Sequence, residues 1–312
     1  MAISIVVPSY NGVELLKESL SSILNYVDLN LGDEIIVVDD GSRDNTLPYL
    51  HENFPQINVI SLERNCGFAK ASMEGIVRSK NRIIALINND VFVNHDFLSP
   101  VLCYFMKDDV FAVGPRVLKR DSHASYHLRS AALFKRGEVE IIRDKEGSGD
   151  TFYVSGGMAV YDKEKFLDLG GLDDLYHPFY WEDVDICYRA LKKGYKVLYE
   201  PESIIYHKDQ GTIVFSKKGK LELFFAKMYA RIIQERNQYL FTWKNILDHD
   251  LTMRHLMWIP INLILSLRNR AHMFKTIGLL FALVRVRKAL RKRREEREKA
   301  YILRDRQLLF TP

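Results

Sequence analysis

The chain has 312 residues, 47% hydrophobic and 27% charged, which excludes a disordered or fibrous protein and supports a core without disulfides. Its cysteines, Cys66, Cys103 and Cys187, form no CxxC pair and no zinc-ligand spacing, and are read as reduced thiols. The net charge of +5 is unevenly spread: residues 253–312 hold fifteen Lys/Arg against four Asp/Glu, a net of +11, which leaves −6 on residues 1–252. An acidic body with a basic C-terminal part implies an anionic partner.

The first residues, MAISIVVPSYN, lack a basic n-region, so no signal peptide is expected and the apolar run reads as a strand. Residues 3–7, 34–38, 57–62 and 82–87 are short β-branched runs of the kind that strands buried on both faces carry. Between them, residues 13–27, 44–53 and 68–79 read as helices. The first of these places Leu16, Leu20, Ile23, Leu24 and Val27 on one face. This alternation predicts an α/β fold with a parallel sheet and right-handed crossovers. Residues 91–150 are less regular. Residues 152–161 read as a strand interrupted by Gly156-Gly157, and 182–193 as a helix closed by Gly194. Residues 195–199 and 203–206 read as two more strands, the second ending at His207. From about residue 217 the pattern is helical.

In that helical part the longest uncharged apolar runs, 255–267 and 276–284, fall short of the ~20 residues that span a bilayer. Residues 253–290 mix Trp258, Ile261, Leu265, Leu280 and Phe281 with Arg268, Arg270, Lys275 and Arg285. That is the composition of an interfacial helix pair, and RKRR at 291–294 adds a polybasic patch. An α/β domain over 1–216 and a basic, helical, membrane-associating region over 217–312 are therefore expected. The expected location is cytoplasmic, on the inner face of the cell membrane. No interleaved aromatic–basic platform points to a nucleic-acid partner, and a homo-oligomer is left open.

Each early strand is followed by a polar, turn-forming cluster: Pro8-Ser9-Tyr10-Asn11-Gly12, Asp39-Asp40-Gly41-Ser42, Glu63-Arg64-Asn65-Cys66-Gly67 and Asn88-Asn89-Asp90. In an open α/β sheet these carboxyl ends share one edge, where ligands bind, and the clusters point to a polar ligand such as a nucleotide. Asp39-Asp40 either shapes a turn or accepts hydrogen bonds from a base or ribose. Asn88-Asn89-Asp90 either ends a strand or offers hard oxygen ligands to Mg²⁺ or Mn²⁺. Trp181-Glu182-Asp183-Val184-Asp185 opens a helix with three acids beside an aromatic wall. His207 is a packed residue or a ligand. Gly156-Gly157 marks a bulge or a close approach to the backbone.

Taken in order, VVPSYNG (6–12), VVDDGSRDNT (37–46), ERNCGFAKASMEG (63–75), INND (87–90), SGGMAVYDKEKFLDLGGLDD (155–174), FYWEDVDICYRALKKGY (179–195) and YHKDQG (206–211) resemble family 2 glycosyltransferases of the GT-A fold. The resemblance covers about residues 1–212 and is nearest the rhamnosyltransferase-like branch that builds cell-surface polysaccharides. It implies a mostly parallel sheet flanked by helices, a UDP- or dTDP-sugar donor, and a glycan or lipid-linked acceptor. It also implies inversion and a divalent metal, Mn²⁺ or Mg²⁺. By position, Pro8, Tyr10 and Asp39 match nucleotide contacts, with Asn65, Gly67 and Phe68 lining the same pocket. Asn88 and Asp90 fall on the DxD motif, with a neutral Asn88 at its first position. Asp90 and His207 match metal ligands. Asp183 matches the general base, and Trp181 and Glu182 the acceptor side, with Gly156 and Gly157 nearby. The competing reading is a non-catalytic, membrane-attached module that binds a nucleotide sugar or glycan.

Overall fold

The computed structural model describes residues 1–120, 124–127, 129–145, 147–208, 219–266 and 270–309. The expected boundary at 216/217 lies outside the described residues, as do residues 209–211 of the last motif.

The N-terminal half alternates β1 (Ile3–Ser9), α1 (Val13–Leu24), β2 (Glu34–Asp39), α2 (Thr46–Asn53), β3 (Asn58–Ser61), α3 (Phe68–Arg78) and β4 (Ile83–Ile87). Then come β5 (Val91–Phe92), α4 (Ser99–Leu102), β6 (Val110–Lys119), β7 (Ser125–His127), β8 (Arg129–Lys135), β9 (Glu138–Lys145) and β10 (Gly149–Asp150). They are followed by β11 (Met158–Asp162), α5 (Lys163–Asp168), α6 (Glu182–Lys192) and β12 (Lys196–His207). The C-terminal helices are α7 (Lys220–Asn245), α8 (His249–Ser266), α9 (Arg270–Leu283), α10 (Val286–Glu298) and α11 (Asp305–Leu309).

The main sheet runs β10-β12-β6-β11-β4-β1-β2-β3. Strands β3, β2, β1 and β4 are parallel, while β11 runs antiparallel between β4 and β6. The sheet is thus mixed, with a parallel half. β1, β2 and β4 are buried throughout, as their continuous apolar runs require.

This topology decides which residues meet. The parallel strands deliver Ser9, Asp39 and Ile87 to one edge. Because β11 is antiparallel, its first residue, Met158, lies opposite Ile87, which brings Gly156-Gly157 to the same edge. β12 is parallel to β6, so it ends there too, and its His207 pairs with Val91 of β5.

Three expectations from the sequence differ. The strand expected over 152–161 begins only at Met158. The two strands expected over 195–206 are one, β12, with a register shift between Glu200 and Ile204 that absorbs Pro201, which has no N–H to donate. Residues 91–150 contain the long, mostly buried β6 and the β8–β9 hairpin.

The C-terminal helices pack against the segment that carries α6. Asp185, fully buried, accepts from Tyr176 Oη (2.7 Å), Arg189 Nε (2.8 Å), Lys244 Nζ (2.8 Å) and Asn245 Nδ2 (2.7 Å). Burial would raise its carboxyl, but Arg189 and Lys244 outweigh it and hold the group below its ordinary range. Lys244 also reaches Asp173 (2.7 Å), and Asn237 Nδ2 donates to the carbonyls of Tyr176, Phe179 and Tyr180 at 2.8 Å each. Asp305 accepts from Lys192 and Tyr188 at the other end of α6. Lys288–Asp174 (2.6 Å) and Lys292–Asp173 (2.9 Å) add further links. Part of the charge asymmetry is therefore complementarity between body and helices.

Candidate active site

Asp39 and Asp40 have separate jobs. Asp40 accepts from the N–H groups of Cys66 (2.7 Å) and Gly67 (2.8 Å), knitting the loops after β2 and β3 together, and burial raises its carboxyl. Asp39 accepts from Ser42 N (3.1 Å) through Oδ2, while its buried Oδ1 has no partner among the described residues. Pro8 is buried in β1 opposite Val38, and Tyr10 is half-buried just past the strand. Asn65 is exposed, and Gly67 and Phe68 are half-buried. Gly67 has φ +88°, and a Cβ there would meet the His177 ring at 2.7 Å.

Asn88, Asn89 and Asp90 point to three places. Asn89 Nδ2 donates to Ser9 Oγ (2.9 Å), a tie between β4 and β1. Asn88 N–H donates to Gly157 O (2.7 Å), and the Asn88 side chain fills the space beside Gly157, where a Cβ would lie 1.9 Å from Oδ1. Asp90 is buried, with Oδ2 3.2 Å from His207 Nε2 and Oδ1 without a partner among the described residues. An unpartnered carboxylate oxygen beside an imidazole suits a hard divalent cation. Among the described residues no group of three His/Cys/Asp/Glu could hold one. This donor set therefore suits an ion whose remaining positions are filled by phosphate and water.

On the other side of the glycine pair, Gly156 N–H donates to Asp183 Oδ2 (3.3 Å), and Val184 N–H to Oδ1 (2.8 Å). A Cβ at Gly156 would lie 3.2 Å from Asp183 Cβ and 3.5 Å from the Phe68 ring. The turn into α6 is strained, with Tyr180 at φ +72° and Trp181 at φ +77°, and the Asn237 amide holds the carbonyls just before it. Trp181 packs on Phe241, ring centres 5.0 Å apart, while Tyr180 is 46% exposed and offers its ring to solvent.

Burial and the neighbouring Asp183 carboxylate push Glu182 up to about 8, and burial also raises Asp183. Asp183 receives two backbone N–H bonds, whereas Glu182 Oε2 has none. Burial and Asp183 thus favour the protonated form of Glu182, while the two N–H bonds favour the ionised form of Asp183.

Sequence reasoning missed Arg143 and Tyr153. Arg143, on β9, donates to Tyr153 Oη, and its positive charge favours the ionised form of Asp183. The irregular pattern of residues 91–150 gave no signal for it. Arg236 and Asn237 were also missed, within a stretch read only as helical.

The family model of glycosyl transferase family 2 matches residues 4–170, more than half of the chain. The chain belongs to this family. It is 26% identical over 212 residues to the O-antigen chain rhamnosyltransferase RfbN of Salmonella typhimurium, covering 66% of each chain. It is 26% identical over 214 residues to a pre-mycofactocin glycosyltransferase of Mycobacterium tuberculosis, covering 66% of this chain and 42% of that one. The match thus spans about two thirds or less of these relatives' length. Among solved structures, GalNAc-T7 with UDP, GalNAc and Mn²⁺ is similar with a TM-score of 0.60 at 16% identity, covering 83% of this chain and 54% of that one. The mannosyltransferase PcManGT from Pyrobaculum calidifontis in complex with GDP-Man and Mn²⁺ gives 0.55 at 15%, covering 94% and 84%. These likenesses concern the fold, which is GT-A with added C-terminal helices.

The raised Glu182 has a thermodynamic signature. The folded chain holds a proton that the unfolded chain releases above its ordinary value of 4.5, so this group lowers stability as pH rises from about 4.5 to about 8. Glu182→Gln removes that slope. Its melting temperature relative to the parent is expected to rise steadily from pH 5 to pH 8; parallel curves would contradict a protonated Glu182.

Proposed function

We propose that this glycosyltransferase moves a sugar from a UDP- or dTDP-linked donor to a hydroxyl of a glycan or lipid-linked acceptor in cell-surface polysaccharide synthesis, with inversion at the anomeric carbon. One observation carries the reading. The Gly156-Gly157 backbone touches Asn88 on one side and Asp183 on the other, so donor-side and base-side groups flank a single turn. The names of the Salmonella relative and of the structures holding UDP with GalNAc or GDP-Man support the substrate class.

In this reading Asp39 Oδ1 accepts from the base or ribose of the donor, with Pro8, Tyr10, Asn65, Gly67 and Phe68 around the nucleoside. Asp90 and His207 would hold a divalent cation, Mn²⁺ or Mg²⁺, and such a cation when bound neutralises the departing diphosphate. Asp183 takes the proton from the acceptor hydroxyl as its oxygen attacks the anomeric carbon. Glu182, protonated, keeps a second negative charge away from the base. The leaving diphosphate is already a good anion, so no general acid is required. Trp181 stiffens the turn that aims Asp183.

The reading also includes a peripheral position on the inner membrane face. None of the described helices is long and apolar enough to cross a bilayer. On α8, however, Met253, Leu256, Met257, Ile261 and Ile264 recur at helical spacing and are each 39–65% exposed, and Arg291 and Arg294 lie exposed on α10.

Two outcomes are expected. Asp183→Asn folds and binds UDP or dTDP with Mn²⁺, but loses at least ~10²-fold in kcat in a nucleoside-diphosphate-release assay with sugar donor and acceptor; near-normal turnover would remove Asp183 from the chemistry. In a flotation assay with anionic vesicles the parent chain floats, and Leu256→Glu/Ile264→Glu stays at the bottom. Equal flotation of the two would refute membrane contact through α8.

A further inference from the structure

Several cations of the C-terminal helices pair with carboxylates: Lys244 with Asp173 and Asp185, Lys288 with Asp174, Lys292 with Asp173, Arg231 with Glu235. Arg236 and Arg285 instead converge on backbone carbonyls. Arg236 Nη2 donates to His177 O (2.5 Å) and Tyr176 O (3.3 Å), and Arg285 Nη1 donates to the same His177 O (3.1 Å) and to Leu175 O (2.8 Å). Two guanidinium groups therefore meet on one carbonyl oxygen, and among the described residues neither forms an ion pair with a carboxylate. Burial and the facing Arg285 push the Arg236 guanidinium down to about 10, which reports the same uncompensated positive charge. A carbonyl dipole cannot neutralise two cations, whereas an oxyanion bridging them would, through charge-assisted bonds.

The place is informative. His177 lies against Gly67 on the loop after β3, and Tyr180 and Trp181, three and four residues further on, lead into Asp183. Besides the two arginines, Asp40 and Asp174 act electrostatically on His177. Exposed apolar side chains lie close by in the chain. Phe281 is 49% exposed and Val284 86% exposed, four and one residues before Arg285, and Tyr229, 46% exposed, meets Phe179 edge-on at 6.3 Å.

We propose that Arg236 and Arg285 form the phosphate site for a lipid-linked acceptor, whose phosphate or diphosphate bridges the two guanidinium groups while its hydrocarbon lies over Phe281, Val284 and Tyr229. This rests on the transferase reading above and names the acceptor class it uses.

The probe is farnesyl phosphate, titrated calorimetrically into the full chain without nucleotide, beside farnesol and inorganic phosphate. Arg236 is buried and supports the 176–177 turn, so the half-buried Arg285 carries the test. Arg285→Gln is expected to weaken farnesyl phosphate by at least ~10-fold, the scale of a lost charge-assisted bond. Arg285→Lys restores most of the affinity, and farnesol and inorganic phosphate both bind more weakly than farnesyl phosphate. UDP affinity with Mn²⁺ is expected to stay unchanged in Arg285→Gln. Unaltered farnesyl phosphate binding in Arg285→Gln would overturn the site. So would an equal loss of UDP, which would assign the pair to the donor diphosphate, or inorganic phosphate binding as tightly as the lipid. The titration contains no nucleotide, so its failure is separable from a failure of the parent chain to bind or use a nucleotide sugar.

Discussion

Two glycines set the geometry on which the site depends. At Gly157 a side chain would occupy the space of the Asn88 amide, and at Gly156 it would crowd Asp183 Cβ and the Phe68 ring. At Gly157 only a bare backbone leaves room for the end of β4, and at Gly156 the start of α6 leaves little space. The glycine turn also supplies the N–H that holds the Asp183 carboxylate and the C=O that receives Asn88 N–H. The Gly156-Gly157 turn immediately precedes Met158, where β11 begins.

Positioning from the front needs support from behind. The first turn of α6 carries Glu182, Asp183 and Asp185, and their mutual repulsion would be costly without counter-charge. Asp185 points backwards into Arg189, Lys244 and Asn245, so one acid anchors the helix while the one two residues before it faces the glycine turn. Breaking one side of such a buried pair typically costs about 3–5 kcal/mol, because the remaining charge is left uncompensated. The C-terminal helices therefore form part of the site's foundation. The same helices place two unneutralised guanidinium groups beside the turn, where an anionic acceptor would complete them.

Much of this was legible in the sequence. Parallel strands buried on both faces write themselves as apolar runs, and the polar clusters that follow must share an edge, so the rim residues could be found before the fold was known. Gly194 closes α6 in a left-handed conformation at φ +83°, as the pattern suggested. The β8–β9 hairpin was not legible. It turns through Arg136 and Gly137, both at positive φ, without the Asn-Gly or Asp-Gly signal that usually marks such a turn. The polybasic run was legible only as composition. Lys292 and Arg293 of RKRR turn inward, to Asp173 and to the Trp243 carbonyl, while Arg291 and Arg294 stay outside. Which face of a helix meets the body depends on partners far away in the chain, and those partners have no local signature. The division of labour between Asp39 and Asp40 was hidden for the same reason: it is fixed by the N–H groups of Cys66 and Gly67 on another loop.

The central claim is that a single carboxylate, Asp183, drives one direct displacement at a turn shared with the donor-side loop. The stereochemistry of the transferred sugar tests it most directly. The account predicts that NMR of the first-formed product, from a donor of known anomeric configuration, shows the opposite configuration at the new glycosidic bond. Retention of the donor's configuration would contradict it.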